Sequence, residues 1–196
     1  LLEDVKSKPN SGETSNNGKG ISIGYTENDE TNPINIYGES KLAGEKYVQE
    51  ILDKYYIVRT SWVFNINGKN FIETMLRLSK ANNQLSIVND QIGSPTYTKD
   101  LSRLLVDMLE TNKYGLYHAT NEGLCSWYDF ACEIFKCAGM DVDVTPVAAT
   151  EFPTKAKRPY NSRLNKDKLT ENGFEKLPSW QDATKRYVDI LMSQNS

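Results

Sequence analysis

The sequence predicts an α/β fold built around a parallel sheet, and three observations predict it. Short runs rich in β-branched and aromatic residues alternate with amphipathic stretches of about a dozen residues, the pattern of strands joined by crossover helices. Two of the amphipathic stretches follow a serine with an aspartate three positions on, a helix-start signature. The regular pattern also begins only near Asn35. Before it, Lys6–Gly20 is rich in Ser, Asn, Gly and Lys and holds almost no apolar residue that could join a core. Residues 1–23 are therefore expected to be a flexible or non-homologous tail.

The elements follow in order. Leu42, Ala43, Tyr47, Val48, Ile51 and Leu52 form an apolar helical stripe, which predicts a helix over Ser40–Lys54 with Tyr37 and Lys41 at its start. Tyr55–Ser61 (YYIVRTS) is short and β-rich, as a buried strand should be. Asn70–Ala81 reads as a helix, with Phe71, Ile72, Met75, Leu76 and Leu78 apolar, and Leu85–Val88 as a strand. Thr98–Glu110 is a helix whose inner face is Leu101, Leu104, Leu105 and Met108. Gly115–Thr120 is a further strand. Ser126–Ala138 is a helix opened by a capping box of Ser126 and Asp129, and Asp141–Val147 alternates as a strand does. Trp180–Met192 is the last helix, introduced by Ser179 and Asp182. No internal repeat occurs.

A dinucleotide-binding fold opens with a strand, a Gly-rich turn and a helix, so that a pyrophosphate meets a helix N-terminus. The glycines here are scattered, and Gly18-Lys-Gly20 follows no strand. The predicted architecture is thus a partial Rossmann-like parallel sheet lacking its first strands, over residues 24–125. A small C-terminal α/β region for substrate follows over 126–196, and the two parts interleave. The strand at 55–61 would then keep one edge open, a liability for pairing with another chain.

Composition narrows the function classes. With 38% hydrophobic and 25% charged residues the chain is that of an ordinary globular protein, and a net charge of -3 without a dense Lys/Arg run excludes a nucleic-acid footprint. No apolar stretch approaches the length of a membrane span. Cys125, Cys132 and Cys137 lack zinc or CxxC spacing, so no metal site is expected, and a reducing, cytoplasmic compartment follows as the default. His118, the only histidine, sits mid-strand without a nucleophile motif and reads as a core residue.

Tyr37 and Lys41 stand four apart, which sets both on one helix face. A phenol is ordinarily a poor acid–base group near neutral pH, with a pKa of about 10. A nearby ammonium favours the phenolate, so the phenol can exchange a proton with a carbonyl or alcohol oxygen. Spacing alone favours the plainer reading, a surface tyrosine resting on a lysine stem.

The surroundings decide between the two. The segment Tyr25–Tyr47 (YTENDETNPINIYGESKLAGEKY) resembles the active-site segment of dTDP-4-dehydrorhamnose reductases, of the extended short-chain dehydrogenase/reductase family. The resemblance continues through Tyr56-Ile-Val-Arg-Thr-Ser-Trp62, Asn70-Phe71, Asp90-Gln-Ile-Gly-Ser-Pro-Thr96, Ser126-Trp-Tyr-Asp-Phe130 and Lys157-Arg-Pro159 with Ser162 and Leu164. It implies reduction of a dTDP-linked 4-keto sugar with NADPH or NADH, completing dTDP-L-rhamnose. It implies Tyr37 as proton donor and Lys41 as its partner and holder of the nicotinamide ribose, with Arg59 also on the cofactor side. Trp62 matches the family's tryptophan near the sugar, with core packing at a strand end as the lesser alternative. Asp90, Gln91 and Thr96 fall in a loop after a strand, where ligand contacts gather in α/β folds, while Gly93 and Pro95 shape the turn. Arg158, in the locally basic Lys155–Pro159, is either a phosphate clamp or part of a solvated loop. The partners implied are a dTDP-sugar and a second copy in a homodimer, without nucleic acid or membrane.

The chain departs from that family in two ways. The Gly-rich turn is absent. The upstream Ser/Thr that completes such a site has no counterpart either, since Thr14, Ser15, Ser22 and Thr26 follow no apolar run. The expectation is that this chain by itself binds nicotinamide cofactor weakly and turns over little. A non-catalytic regulatory homologue and another nucleotide-sugar reductase or epimerase remain the alternative readings.

Overall fold

Asn35 decides where the first helix starts. In the computed structural model, which describes residues 24–66, 68–152 and 157–194, its side-chain oxygen accepts the Gly38 N–H at 2.9 Å and opens helix α1 at Ile36–Ile51. The helix therefore begins four residues before the expected Ser40 and ends three residues short of Lys54. The stripe is not a buried face among the described residues: Tyr47, Ile51 and Leu52 are exposed, and Gly38 is the residue of α1 that is buried.

Strand β1 (Tyr56–Arg59) pairs in parallel with β6 (Gly115–His118), and β3 (Gln84–Val88) pairs in parallel with β8 (Asp143–Val147). The expected α/β class with parallel pairing holds. Among the described residues β1 pairs only with β6, which leaves its other edge without a strand. Two-residue strands complete the framework: β2 (Val63–Phe64) parallel to β5 (Thr96–Tyr97), and β4 (Ile92–Gly93) antiparallel to β7 (Cys125–Ser126). Segments this short carry no hydrophobic period, so sequence reasoning could not find them.

The helices α2 (Phe71–Ser79), α3 (Thr98–Leu109), α4 (Trp127–Ala138) and α6 (Trp180–Gln194) lie within two residues of expectation at each end. The capping box of α4 forms as read: Ser126 Oγ accepts the Asp129 N–H at 3.0 Å, and the Asp129 carboxylate accepts the Ser126 N–H at 2.8 Å. On α3 the inner face is Leu104 and Met108, whereas Leu105 is exposed. A short helix α5 (Asp167–Glu171) was not foreseen.

Two apolar clusters hold these elements. Phe64, Ile72, Met75, Tyr97, Phe130, Ile134 and Tyr187 pack between α2, α4 and α6, so that cluster draws on both sides of residue 125. Leu104, Met108, Tyr117, Leu169 and Phe174 pack α3 and α5 against the β1–β6 pair. Burying each such side chain contributes on the order of 1.5–3 kcal/mol. Three polar residues lock the ends together: fully buried Asn121 accepts the Tyr97 N–H at 2.8 Å and donates to Asp100, which also binds Arg186 at 2.7 Å. His118 is fully buried as expected; its ring Nδ1 lies 3.1 Å from the Tyr25 carbonyl oxygen, and burial holds its pKa below the ordinary 6.5. The three cysteines are free thiols, Cys125 buried and the other two half-buried on α4. No helix among the described residues is long and apolar enough to cross a membrane.

Candidate functional site

Two clefts open side by side, separated by the segment 157–164. This segment is fixed from both flanks. The Ile92 N–H donates to the Tyr160 carbonyl and the Ser162 N–H to the Ile92 carbonyl, each at 2.8 Å. Further on, the Tyr25 N–H donates to the Arg163 carbonyl at 2.9 Å and the Asn165 N–H to the Tyr25 carbonyl at 2.8 Å.

The first cleft, of about 410 Å³, gathers Tyr37, Lys41 and Glu45 of α1, the end of β1 with Arg59 to Ser61, and Pro159 and Asn161 of the dividing segment. Positions 37, 41 and 45 are successive turns on one helix face. Lys41 Nζ stands 5.4 Å from the Tyr37 ring centroid, and the Tyr37 side chain is 71% exposed, reachable by a ligand. Arg59 lines this cleft too, but its guanidinium is buried and committed. Nε and Nη2 donate to Glu45 at 2.6–3.1 Å, and Nη1 is a buried donor without a partner among the described residues. Arg59 thus lines the cleft of Tyr37 and Lys41, and its charge is spent on pinning α1 to β1.

The second cleft, of about 670 Å³, is walled by aromatic and aliphatic side chains, among them Phe71, Trp127, Phe152 and Tyr160, and carries Gln91, Lys157 and Arg158 as polar groups. Both cations are exposed. Flat apolar walls with a few polar groups and cations suit a base and an anionic tail.

Trp62 sits behind this wall. Its indole stacks on Trp127 with centroids 3.7 Å apart and planes 13° apart, and its backbone has φ +48°. A bulky residue in that region costs on the order of 1–3 kcal/mol, offset here by the stack. Gly93 makes the arrangement possible: a Cβ there would lie 2.8 Å from Trp62 Cε2.

The loop after β3 divides. Gln91 faces the aromatic cleft. The exposed Asp90 carboxylate accepts the Ala149 N–H at 3.0 Å and thereby holds the turn at Ala149–Glu151. Thr96 is fully buried, and its hydroxyl accepts from Thr60 at 3.0 Å, because β5 turns the side chain inward against the end of β1. Of the unassigned hydroxyls, Thr14, Ser15 and Ser22 lie outside the described residues, as does Lys155, and Thr26 is bonded to Asp29.

Sequence reasoning passed over Glu45, Asn35, Phe71, Trp127 and Asn161 as site residues. Phe71 and Trp127 stood inside quoted motifs, and Glu45 one turn beyond Lys41 was the available signal. Asn35 reaches Lys157, 122 residues on, a contact no local pattern announces, and Asn161, bonded to Arg163 two residues on, stood in no quoted motif.

Comparison with known proteins agrees with this geometry. Residues 16–193 match the model of the RmlD substrate binding domain. The chain is 41% identical over 180 residues to the dTDP-4-dehydrorhamnose reductase of Escherichia coli K12, covering 86% of this chain and 60% of that protein. A crystal structure of the Bacillus anthracis dTDP-4-dehydrorhamnose reductase in complex with NADP superposes with a TM-score of 0.82 at 46% identity, covering 87% of this chain and 60% of that one. The Clostridium acetobutylicum dTDP-4-dehydrorhamnose reductase superposes with a TM-score of 0.84 at 44% identity, covering 88% and 61%. The chain thus spans about 60% of the length of the curated relatives it matches.

Proposed function

The chain belongs to the RmlD substrate-binding-domain family, and from that premise we propose that it supplies the proton-donor and sugar-nucleotide parts of a dTDP-4-dehydrorhamnose reductase, which reduces dTDP-4-dehydro-L-rhamnose to dTDP-L-rhamnose with NADPH. The observation that carries the reading is the exposed Tyr37 with Lys41 beside it, in a cleft that one short segment separates from an aromatic cleft with cations at its rim.

The residues present fit the nicotinamide end of the cofactor: Tyr37 and Lys41 face an open cleft, and Arg59 keeps a buried Nη1 donor there without a partner among the described residues. Tyr37 and Lys41 would hold the ribose. When bound, the nicotinamide supplies the hydride that reduces the sugar carbonyl. Tyr37 Oη gives its proton to the carbonyl oxygen as charge builds there, and the Lys41 ammonium steadies the phenolate left behind. Phe71 and Trp127 would receive the thymine and deoxyribose by apolar contact, and Lys157 and Arg158 the diphosphate.

The test has two arms. Calorimetric titration of dTDP into the chain itself measures the sugar-nucleotide cleft. NADPH oxidation with dTDP-4-dehydrorhamnose is then compared for the chain by itself and for the chain joined to the N-terminal segment of a relative. Saturable dTDP binding, with turnover in the joined protein and little in the chain by itself, is expected. Absence of both dTDP binding and joined turnover overturns the reading.

A further inference from the structure

Asn35 touches two parts of the molecule at once. Its Oδ1 accepts the Gly38 N–H at 2.9 Å and its own carbonyl accepts the Glu39 N–H at 3.0 Å, so it forms the cap of α1 two residues before Tyr37. Its Nδ2 donates to the Lys157 carbonyl at 3.0 Å, 122 residues away. Lys157 and Arg158 line the aromatic cleft, while Pro159 and Asn161, a few residues on, line the cleft of Tyr37 and Lys41. The Asn35 amide is thus a direct hydrogen-bonded link between the cationic rim of one cleft and the first turn of the helix that presents the phenol in the other.

We infer that Asn35 is a positioning residue, through which an anion held by Lys157 and Arg158 steadies the first turn of α1 and with it Tyr37. The inference rests on the sugar-nucleotide reading above. The cause is local. A diphosphate between two exposed cations restricts the backbone that carries them, and the Lys157 carbonyl then keeps its bond to the Asn35 amide. The amide oxygen on the other side of the same side chain stays on the Gly38 N–H, and the first turn of α1 frays less. A helix cap alone would not require this: aspartate and serine cap as well as asparagine does. What asparagine adds is the Nδ2 donor, and the structure uses it toward residue 157.

The experiment is amide hydrogen exchange by NMR on the full chain, with and without saturating dTDP, for wild type, Asn35→Asp and Asn35→Ser. Both variants keep a capping oxygen and lose the amide donor, and serine does so without adding charge. In the wild type, dTDP is expected to slow exchange at Gly38 and Glu39 about threefold or more, the scale of a modest local stabilisation. Both variants are expected to bind dTDP with nearly unchanged affinity and to melt at nearly the wild-type temperature, yet to show no slowing at these amides. Equal slowing in the variants, or none in the wild type although dTDP binds, overturns the positioning role. Failure of dTDP to bind the wild type overturns the inference, whereas the sugar-nucleotide reading falls only if turnover in the joined protein fails as well.

Discussion

Arg59 holds Glu45 by two nitrogens, with Nη2 to Oε2 at 2.6 Å and Nε to Oε1 at 2.9 Å, and both side chains are about nine-tenths buried. This pair joins α1, most of whose surface is exposed, to the end of β1. Cutting one partner of a buried pair leaves a desolvated charge and costs about 3–5 kcal/mol, more than the pair's net worth. Glu45→Ala should therefore destabilise the chain by about that amount in urea denaturation. The double variant Arg59→Met with Glu45→Leu should recover most of the loss, because no lone charge remains. A cost for Glu45→Ala within the range of ordinary surface substitutions would show that the pair does not anchor α1.

Tyr37→Phe removes one exposed hydroxyl, which makes no hydrogen bond among the described residues. In the joined, cofactor-competent protein it should lower kcat about a hundredfold or more, the scale of a general acid. The melting temperature should stay close to wild type, since the ring is 71% exposed. Equal rates for the two proteins would remove Tyr37 from the chemistry.

At Gly93 the space is already taken by an indole. Gly93→Ala puts a methyl 2.8 Å from Trp62 Cε2 and must push the ring off Trp127. The expected cost is about 1–3 kcal/mol, as for overpacked cores. The tryptophan emission should shift with it, because the stacked pair separates. An unchanged spectrum with unchanged stability would mean that Trp62 yields freely.

The buried His118 makes stability depend on pH, with a sign that follows from its environment. Burial is the largest cause holding its folded pKa below 6.5; nearby Glu27 opposes the shift and Arg59 adds to it. Between that lowered value and 6.5 the unfolded chain binds more protons than the folded one, so stability rises with pH through the window and falls as pH drops below 6.5. His118 contributes at most about 1.4 kcal/mol per pH unit there. Urea denaturation from pH 7.5 down to pH 5 should show the fall, and His118→Gln should show a shallower one. Parallel curves for the two proteins would assign the acid loss to other groups.

How much of this was legible in the sequence depended on how far apart the deciding atoms lie along the chain. The cap of α4 at Ser126 and Asp129 and the juxtaposition of Tyr37 with Lys41 span three and four residues, and local helix geometry alone imposes them. The long helices and the strands β1, β3, β6 and β8 were legible for the same reason, since hydrophobic period is a local property, while which of them pair was set only in the fold. The start of α1 was misplaced because Asn35 carries no apolar period.

The fate of the other site residues was set by partners far away in sequence. Thr96 turned inward to Thr60, Asp90 was taken up by the Ala149 amide, and the Arg59 guanidinium was consumed by Glu45. Thr96 and Arg59 are buried, where a polar group left unpaired is costly, and each took a partner within the protein, Arg59 keeping only Nη1 open; the exposed Asp90 took the Ala149 amide. By itself, then, the sequence determined an α/β chain with a Tyr–Lys face at the head of its first helix. Only the tertiary structure decided which polar groups remained open to a ligand, and it did so by pairing off the rest first.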